Sequence, residues 1–277
     1  MDKLYVIKIG GNIIDDEKKL SSFLKEFAAI NAKKILVHGG GKVASKIGEQ
    51  LGIESKYADG RRITDAATLD VVTMVYAGLI NKKIVAQLQA FDCNALGITG
   101  ADANLIPAIR RPVKEIDYGF VGDIQPGEMM GMFWDELLAL GLTPVAAPIT
   151  HDGKGQLLNT NADTIAQEIA KTLSQLYQVT LIYSFEKSGV LLDVNDETSV
   201  IPVITATYFE QLKAPLAGVG GAKIFAGMIP KLDNAFAALN SGVEKIIIGK
   251  AEKLSELLNG TSGTTITASP NPSREGL

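Results

Sequence analysis

Short apolar segments alternate with segments of helical spacing along almost the whole of this 277-residue chain, and this alternation constrains the fold most. The pattern is typical of an α/β protein with a mainly parallel sheet, because each parallel strand needs a crossover before the next one. The predicted strands are Leu4–Ile9, Lys34–His38, Leu142–Ile149, Val179–Tyr183, Lys245–Ile248 and Thr264–Thr267.

The predicted helices lie between these strands. Their apolar residues recur at three- and four-residue spacing, which indicates one buried face. They are Leu20–Ile30, Val43–Leu51, Thr64–Gln89 (one helix or two), Trp134–Leu140 and a helix that begins at Asn161 or Asp163 and runs through Thr172.

Three segments lack a helical pattern. Tyr57–Arg62 is predicted to be a loop, and Ala95–Asp123, which is rich in glycine and proline, is predicted to form antiparallel hairpins. The tail of residues 268–277 contains two prolines and a charged end, so we expect it to be disordered.

The composition is that of a globular enzyme and disfavours several other classes. Hydrophobic residues make up 46% of the chain, charged residues 21%, and the formal net charge is −4. Proteins that bind nucleic acid or anionic membranes usually carry a basic surface, so neither partner is expected. The N-terminus lacks the apolar core of a signal peptide, and no apolar run approaches the ~20 residues of a membrane helix. The cytoplasm is the expected compartment.

Metal-ligating residues are scarce. One cysteine, Cys93, allows no internal disulfide, and two histidines, His38 and His151, are too few for a Cys/His zinc cluster. We therefore expect no metal held by the protein alone, and we expect His38 to stabilise a turn.

Glycine-rich turns follow predicted strands at Gly10-Gly11-Asn12 and Gly39-Gly40-Gly41, and a third stretch, Gly218–Gly221, precedes the last long helix. Glycine allows the backbone to approach an anion closely, and a helix that begins after such a turn adds a positive dipole end. Neither the phosphate-binding loop ending in Gly-Lys-Ser/Thr nor a Gly-x-Gly-x-x-Gly turn after a strand is present. The common nucleotide-binding motifs are therefore disfavoured.

Two lysines stand in unusual positions. Lys8 interrupts an apolar strand just before two glycines, where it could reach a ligand crevice or simply extend to water. Lys231 follows Pro230, which suits the first turn of a helix, and it could equally be a surface lysine. The local pattern leaves both alternatives open for each lysine.

Several motifs, taken in order, resemble the amino-acid kinase family, in the branch that acts on N-acylated glutamate. They span nearly the whole chain: Lys8-Ile9-Gly10-Gly11, His38-Gly39-Gly40-Gly41, Gly60-Arg61-Arg62-Ile63-Thr64, Leu158-Asn159-Thr160-Asn161-Ala162-Asp163 and Gly227-Met228-Ile229-Pro230-Lys231. The resemblance implies a three-layer α/β sandwich with an open, mainly parallel eight-stranded central sheet. It also implies an N-terminal lobe, residues 1–175, that binds the N-acyl-glutamate, and a C-terminal lobe, residues 176–267, that binds ATP.

The resemblance further implies the reaction and the roles of individual residues. ATP with Mg²⁺ would phosphorylate the γ-carboxylate of N-acetyl-L-glutamate, giving an acyl phosphate and ADP, in arginine biosynthesis. Lys8, Lys231, Asp163 and Gly11 would be catalytic, with Asp163 holding both lysines. The substrate would be bound by Gly40, Gly41, Arg62 and Asn159, and the nucleotide by Gly10, Gly189, Gly227 and Met228.

The sequence departs from the family pattern in places. Asn12 and Ala226 replace the expected small residue and glycine, and Ser184-Phe185-Glu186 stands where Ser/Thr-Asp-Val is usual, so the nucleotide contacts there are expected to differ. The chain begins almost on its first strand, without the N-terminal helix of arginine-inhibited relatives, which implies an arginine-insensitive homodimer. Two alternatives stay open: N-succinyl-L-glutamate as substrate, which the extra Arg61 could favour, and an inactive domain that senses a ligand.

Overall fold

The computed structural model describes residues 1–193, 195–213 and 228–268. The strands of this part of the chain are β1 (Lys3–Ile9), β2 (Lys33–His38), β3 (Lys56–Ala58), β4 (Arg61–Ile63), β5 (Ala95–Ile98), β6 (Ile109–Arg110), β7 (Gly122–Asp123), β8 (Thr143–Ala146), β9 (Ile149–His151), β10 (Leu157–Asn159), β11 (Gln178–Phe185), β12 (Val203–Thr205), β13 (Lys245–Lys250) and β14 (Thr264–Thr267).

The α-helices of the same part are α1 (Gly11–Ile14), α2 (Glu17–Ala28), α3 (Gly41–Gln50), α4 (Ala66–Thr73), α5 (Asn81–Ala90), α6 (Gly131–Ala139), α7 (Ala162–Leu173), α8 (Ala206–Lys213), α9 (Ile229–Asn240) and α10 (Leu254–Leu258). A π-helical segment, Met74–Ile80, joins α4 to α5, and short 3₁₀ turns lie at Asp102–Asn104 and Ala251–Lys253. None of the helices described is long and apolar enough to cross a membrane.

Eight strands form one open sheet in the order β12-β14-β13-β11-β1-β2-β8-β5. Neighbouring strands run parallel throughout, except that β13 and β14 are antiparallel. The prediction of a mainly parallel eight-stranded sheet is confirmed. β1 lies at the middle of the sheet, between β2 and β11, so its residues are covered on both faces.

Helices cover both faces of the sheet and complete the three layers. Because side chains alternate along a strand, Leu4 and Val6 join the core under α6, α7 and α9, while Ile7 and Ile9 join the core under α2, α4 and α5. Lys8 belongs to the same face as Leu4 and Val6. This register directs the Lys8 side chain toward α7.

The segment Ala95–Asp123 follows the hairpin prediction only in part. β6 and β7 pair antiparallel, as expected, but Ala95–Ile98 is instead a parallel edge strand of the main sheet beside β8. The local sequence missed this strand because it is four residues long and interrupted by Gly97, so no clear strand pattern develops.

The prediction of a loop at Tyr57–Arg62 is wrong. β3 and β4 form a small antiparallel hairpin that turns at Asp59 and Gly60, which have φ values of 49° and 72°. An Asp-Gly pair with two positive φ angles is the preferred turn of a two-residue hairpin. The three-residue strands on either side were too short to signal it.

Candidate active site

Glycine turns and polar side chains meet at one edge of the sheet, where β1, β2 and β11 end. Ile9 lies beside His38 on one side and beside Ser184 on the other. The segments that follow these three residues are therefore neighbours in space, although they are far apart in sequence. In open α/β sheets this carboxyl edge is where ligands bind.

Lys8 is paired with an acidic residue in the first turn of α7. The Lys8 Nζ and Asp163 Oδ1 atoms are 2.8 Å apart, and Lys8 is 9% exposed. The Asn161 side chain caps α7 by accepting hydrogen bonds from the backbone N–H groups of Asp163 and Thr164. The cap fixes the start of the helix and with it the position of the carboxylate beside Lys8.

A cavity of about 390 Å³, the large cavity, lies beside this ion pair. Its lining includes all four residues predicted to bind substrate, together with two of the predicted catalytic residues. These six are Gly40, Gly41, Arg62, Asn159, Asp163 and Lys231. The structure thus brings together residues from four of the five sequence motifs.

A second cavity of about 250 Å³, the small cavity, lies at the end of β1 and β11. Its lining includes Lys8, Gly10, Gly11, Lys19, Ser184 and Phe185. Ser184 is 1% exposed, and its hydroxyl has no hydrogen-bond partner within the residues described. The lining also includes Glu186 and Glu252, and Glu252 is paired with Lys19 at 2.9 Å. The Lys8 ammonium group, the glycine backbone and the Ser184 hydroxyl are the groups there that suit an anion.

Lys231, predicted to pair with Asp163, contacts an aromatic ring instead. Its Nζ lies 4.2 Å from the centroid of the Phe185 ring, and the Lys8 Nζ lies 5.5 Å from the same centroid. Within the described residues Asp163 is ion-paired with Lys8, whereas Lys231 forms no ion pair. Pro230 occupies the first turn of α9, as expected, and Lys231 follows it in the lining of the large cavity.

Buried side chains pack against the Gly39–Gly41 turn and fix its conformation. Gly40 has φ 147°, and a Cβ atom there would lie 2.2 Å from Ile80 Cδ1, so the position requires glycine. His38 is fully buried; its Nδ1 lies 2.8 Å from the Gly39 carbonyl oxygen and its Nε2 3.2 Å from Asn81 Nδ2. Burial lowers the pKa of His38 to about 4, so the ring is neutral. The expectation that His38 stabilises a turn agrees with this geometry.

Arg62 is 8% exposed and is held by the protein. Its Nη2 donates to the Gly41 carbonyl oxygen at 2.8 Å and to Ser45 Oγ at 2.9 Å, and its Nη1 donates to Ser55 Oγ. The guanidinium also lies 5.0 Å from the centre of the Tyr57 ring. Arg62 therefore anchors the glycine turn and at the same time presents positive charge to the large cavity.

The predicted nucleotide-binding residues are less concentrated. Gly10 lines the small cavity, but Gly189 and Met228 line neither of the two cavities. Gly189 is buried, and a Cβ atom there would lie 2.7 Å from Thr264 Oγ1, so packing alone requires glycine. Gly227, Ala226 and the Gly218–Gly221 stretch lie outside the described residues, as does the tail after residue 268.

The sequence alone did not indicate two residues of the site, Arg111 and Phe185. Arg111 lines the large cavity and is ion-paired with Asp123, with Nη2 and Oδ1 2.6 Å apart. No sequence motif marks this pair, because the two residues lie on either side of an irregular segment. Phe185 lines both cavities. The unusual Ser184-Phe185-Glu186 sequence marked that position as different but did not indicate its place.

The fold and the site together define an α/β protein with glycine turns, helix N-termini and two lysines around adjoining cavities at the carboxyl edge of its sheet, an arrangement suited to anionic ligands. The model of the amino acid kinase family matches residues 3–250. The chain belongs to the amino acid kinase family.

Individual relatives agree with this assignment. The chain is 55% identical to the acetylglutamate kinase of Cytophaga hutchinsonii, over 97% of this chain and 100% of that protein. It is 56% identical to the acetylglutamate kinase of Bacteroides thetaiotaomicron, over 92% of this chain and 96% of that protein. The carbamate kinase from Giardia lamblia bound to AMP-PNP shares the fold, with a TM-score of 0.65 at 14% identity, over 97% of this chain and 99% of that one.

Proposed function

We propose that this chain transfers the γ-phosphoryl group of ATP to the γ-carboxylate of N-acetyl-L-glutamate, giving an acyl phosphate and ADP, in arginine biosynthesis. The relatives named acetylglutamate kinase are more than half identical over nearly the full chain, which supports this acceptor. The observation that carries the proposal is the Lys8–Asp163 ion pair, because Lys8 lines the small cavity and Asp163 the large one. A group transferred between the cavities passes beside it.

In the proposed reaction, a γ-carboxylate oxygen attacks the γ-phosphorus of ATP. A new O–P bond forms, the bond from phosphorus to the β–γ bridging oxygen breaks, and its electron pair leaves with ADP. No proton has to move, because the attacking carboxylate is already ionised. The protein therefore contributes position and positive charge, as is usual for phosphoryl transfer.

Lys8 and Lys231 are the proposed catalytic groups. Their ammonium nitrogens lie within 5.5 Å of one ring centre, so both can approach a single phosphoryl group. Their charge would stabilise the oxygens of the transition state. Asp163 orients Lys8, and the Gly10–Gly11 backbone would cradle the transferring oxygens.

The acceptor is proposed to occupy the large cavity. Gly40 and Gly41 begin α3, whose N-terminus favours an anion, and Arg62 adds a guanidinium beside them. Asn159 would contact the α-carboxylate and amide end; its Nδ2 donates to Thr64 Oγ1 at 3.0 Å, which fixes the orientation of the amide.

Mg²⁺ is proposed to arrive with ATP and to be held mainly by phosphate oxygens, where it neutralises part of their charge. Of the two carboxylates that line the small cavity, Glu186 and Glu252, Glu252 is already paired with Lys19 at 2.9 Å, and Asp163 in the large cavity is paired with Lys8. Across the residues described, no cluster of three potential ligands could hold a metal on its own.

The test is a coupled ADP-release assay with N-acetyl-L-glutamate, N-succinyl-L-glutamate and unacylated L-glutamate. We expect turnover that depends on an N-acyl group. Binding of an N-acyl-glutamate without any ADP release would instead favour the ligand-sensing alternative.

One observation favours N-succinyl-L-glutamate as a second candidate. Arg61 and Arg111 line the large cavity in addition to Arg62, and the Arg111 Nη1 atom is buried without a hydrogen-bond partner in the part of the chain described. A succinyl group carries one carboxylate more than an acetyl group and could use such a donor. The ratio of kcat/KM for the two acyl-glutamates, in the wild type and in Arg111→Gln, discriminates between them: only succinyl turnover should depend on Arg111.

The assembly and location belong to the same proposal. We propose a cytoplasmic homodimer with an acceptor-binding lobe, residues 1–175, and a nucleotide-binding lobe, residues 176–267. Light scattering should then give twice the chain mass of 29.4 kDa.

A further inference from the structure

Phe185 lies between the two cavities. It is the last residue of β11, it is partly buried, and it is part of the lining of both cavities. Its ring stacks on that of Tyr183, with centroids 6.1 Å apart and an interplanar angle of 22°. Tyr183 is 8% exposed, so Phe185 rests on a fixed support.

The two lysines of the proposed mechanism both lie over this ring, at 4.2 Å for Lys231 and 5.5 Å for Lys8. The face of an aromatic ring carries negative charge density and attracts an ammonium ion within about 6 Å. Lys8 has the Asp163 carboxylate as a further partner. Lys231 is an exposed residue, and the Phe185 ring is the contact that its ammonium group makes within the described residues.

We propose that Phe185 is a positioning residue that holds the Lys8 and Lys231 ammonium groups at the junction of the cavities. Two like charges repel each other, and one ring that attracts both keeps them together before phosphate oxygens are present. The expected effect on kcat rests on the proposed function. The placement of two lysines over one ring does not depend on any substrate.

The contact between the two lysines and the Phe185 ring can be tested by NMR in the absence of substrate. The ring current of Phe185 should shift the ε-methylene proton resonances of Lys8 and Lys231 upfield in the unliganded protein. The shift should disappear in Phe185→Leu and persist in Phe185→Tyr, which keeps an aromatic face. Resonances that are the same in Phe185→Leu and the wild type would overturn the proposal, whether or not the protein is active.

The kinetic test uses the same variants with the full chain. We expect Phe185→Leu to lower kcat about 10-fold with KM for the acyl-glutamate little changed, and Phe185→Tyr to stay within about threefold of the wild type. Phe236→Leu is the matched control, because Phe236 is partly buried and stacks on Phe209 at 5.1 Å away from the cavities. Thermal melting checks that all three variants fold.

Leucine fills nearly the same space as phenylalanine but has no aromatic face. Wild-type kcat in Phe185→Leu, beside an active wild type, would reduce Phe185 to a packing residue and overturn the proposal. Absence of turnover in the wild type with every N-acyl-glutamate would overturn the proposed function instead, and the resonance test would still decide the role of the ring.

Discussion

Lys8 shows how a charged side chain can be accommodated in a buried strand. Its position in β1 directs it to the face covered by α7, and the Asp163 carboxylate lies 2.8 Å from its ammonium group. Burying a charge without a partner is costly, so this pairing explains why the strand tolerates lysine. The same pairing keeps the ammonium at the ligand edge of the sheet, where the proposed reaction needs it.

Removing either lysine should impair the reaction without unfolding the chain. We expect Lys8→Ala and Lys231→Ala each to lower kcat about 100-fold or more, because each loses a charge that stabilises the transition state. Steady-state kinetics and thermal melting measure the two effects separately. Lys171→Ala is the control, since Lys171 is also partly buried and is ion-paired with Glu168 at 2.9 Å, in the last turn of α7. Near-wild-type kcat in Lys8→Ala would refute the mechanism.

Gly41 allows a test of substrate contact that leaves the fold intact. A Cβ atom at Gly41 would meet its nearest neighbour, Arg62 Nη2, at 3.9 Å, so the protein itself has room for alanine. We expect Gly41→Ala to melt like the wild type but to raise KM for the acyl-glutamate at least ~10-fold, because the methyl group enters the space of the ligand. Gly78→Ala, with open space around its Cβ, should leave KM unchanged. An unchanged KM in Gly41→Ala would mean that the substrate does not approach this turn.

The lowered pKa of His38 predicts that the free energy of unfolding depends on pH. Its pKa is about 4 in the folded protein, against about 6.5 when unfolded, so the folded state excludes a proton that the unfolded state binds. The resulting stability is complete above pH ~6.5 and is lost as the pH falls toward 4. From pH 7 to pH 5 this amounts to about 2 kcal/mol of unfolding free energy.

Urea unfolding of the wild type and His38→Gln at both pH values measures this loss. Groups other than His38 titrate in both proteins, so they cancel in the comparison. We expect the wild type to lose about 2 kcal/mol more than the variant. Parallel losses in the two proteins would show that His38 does not stay neutral on folding.

Regular elements were predictable where hydrophobic spacing alone determines them. Leu4–Ile9 and Lys34–His38 agree with β1 and β2 to within one residue, and Asn161, one of the two predicted starting points, caps α7. Other elements depend on tertiary contacts that a local pattern does not contain. Within the predicted helix Thr64–Gln89, the π-helical segment Met74–Ile80 is one of these, because it packs Ile80 against Gly40.

The N-cap of α7 links the stability of an element to the site. Asn161→Ala removes the side-chain acceptor for two backbone N–H groups and should cost about 1 kcal/mol of unfolding free energy. It should also lower kcat, because Asp163 lies in the turn that the cap holds. Asn161→Ser keeps a capping oxygen and should retain most of both properties in urea unfolding and kinetics. Equal damage in the serine and alanine variants would show that the amide acts in another way.

At the scale of the whole molecule, strand order creates the site. Because β1 lies between β2 and β11, the glycine turns after residues 9 and 38 and the aromatic residue at 185 meet at one edge. The sequence predicted that glycine-rich turns follow the strands near the ligand and, through the family resemblance, which distant residues act together. It did not predict that Phe185 adjoins both cavities, because that depends on how β11 lies beside β1.

The central claim is that the chain makes an acyl phosphate from ATP and an N-acyl-glutamate. The most direct measurement traps the acyl phosphate with hydroxylamine and quantifies the hydroxamate together with ADP, in the wild type with N-acetyl-L-glutamate. Our account predicts equal amounts of the two products, and neither product when unacylated L-glutamate or carbamate replaces the acceptor. ADP without hydroxamate, or no ADP with any N-acyl-glutamate, would contradict it.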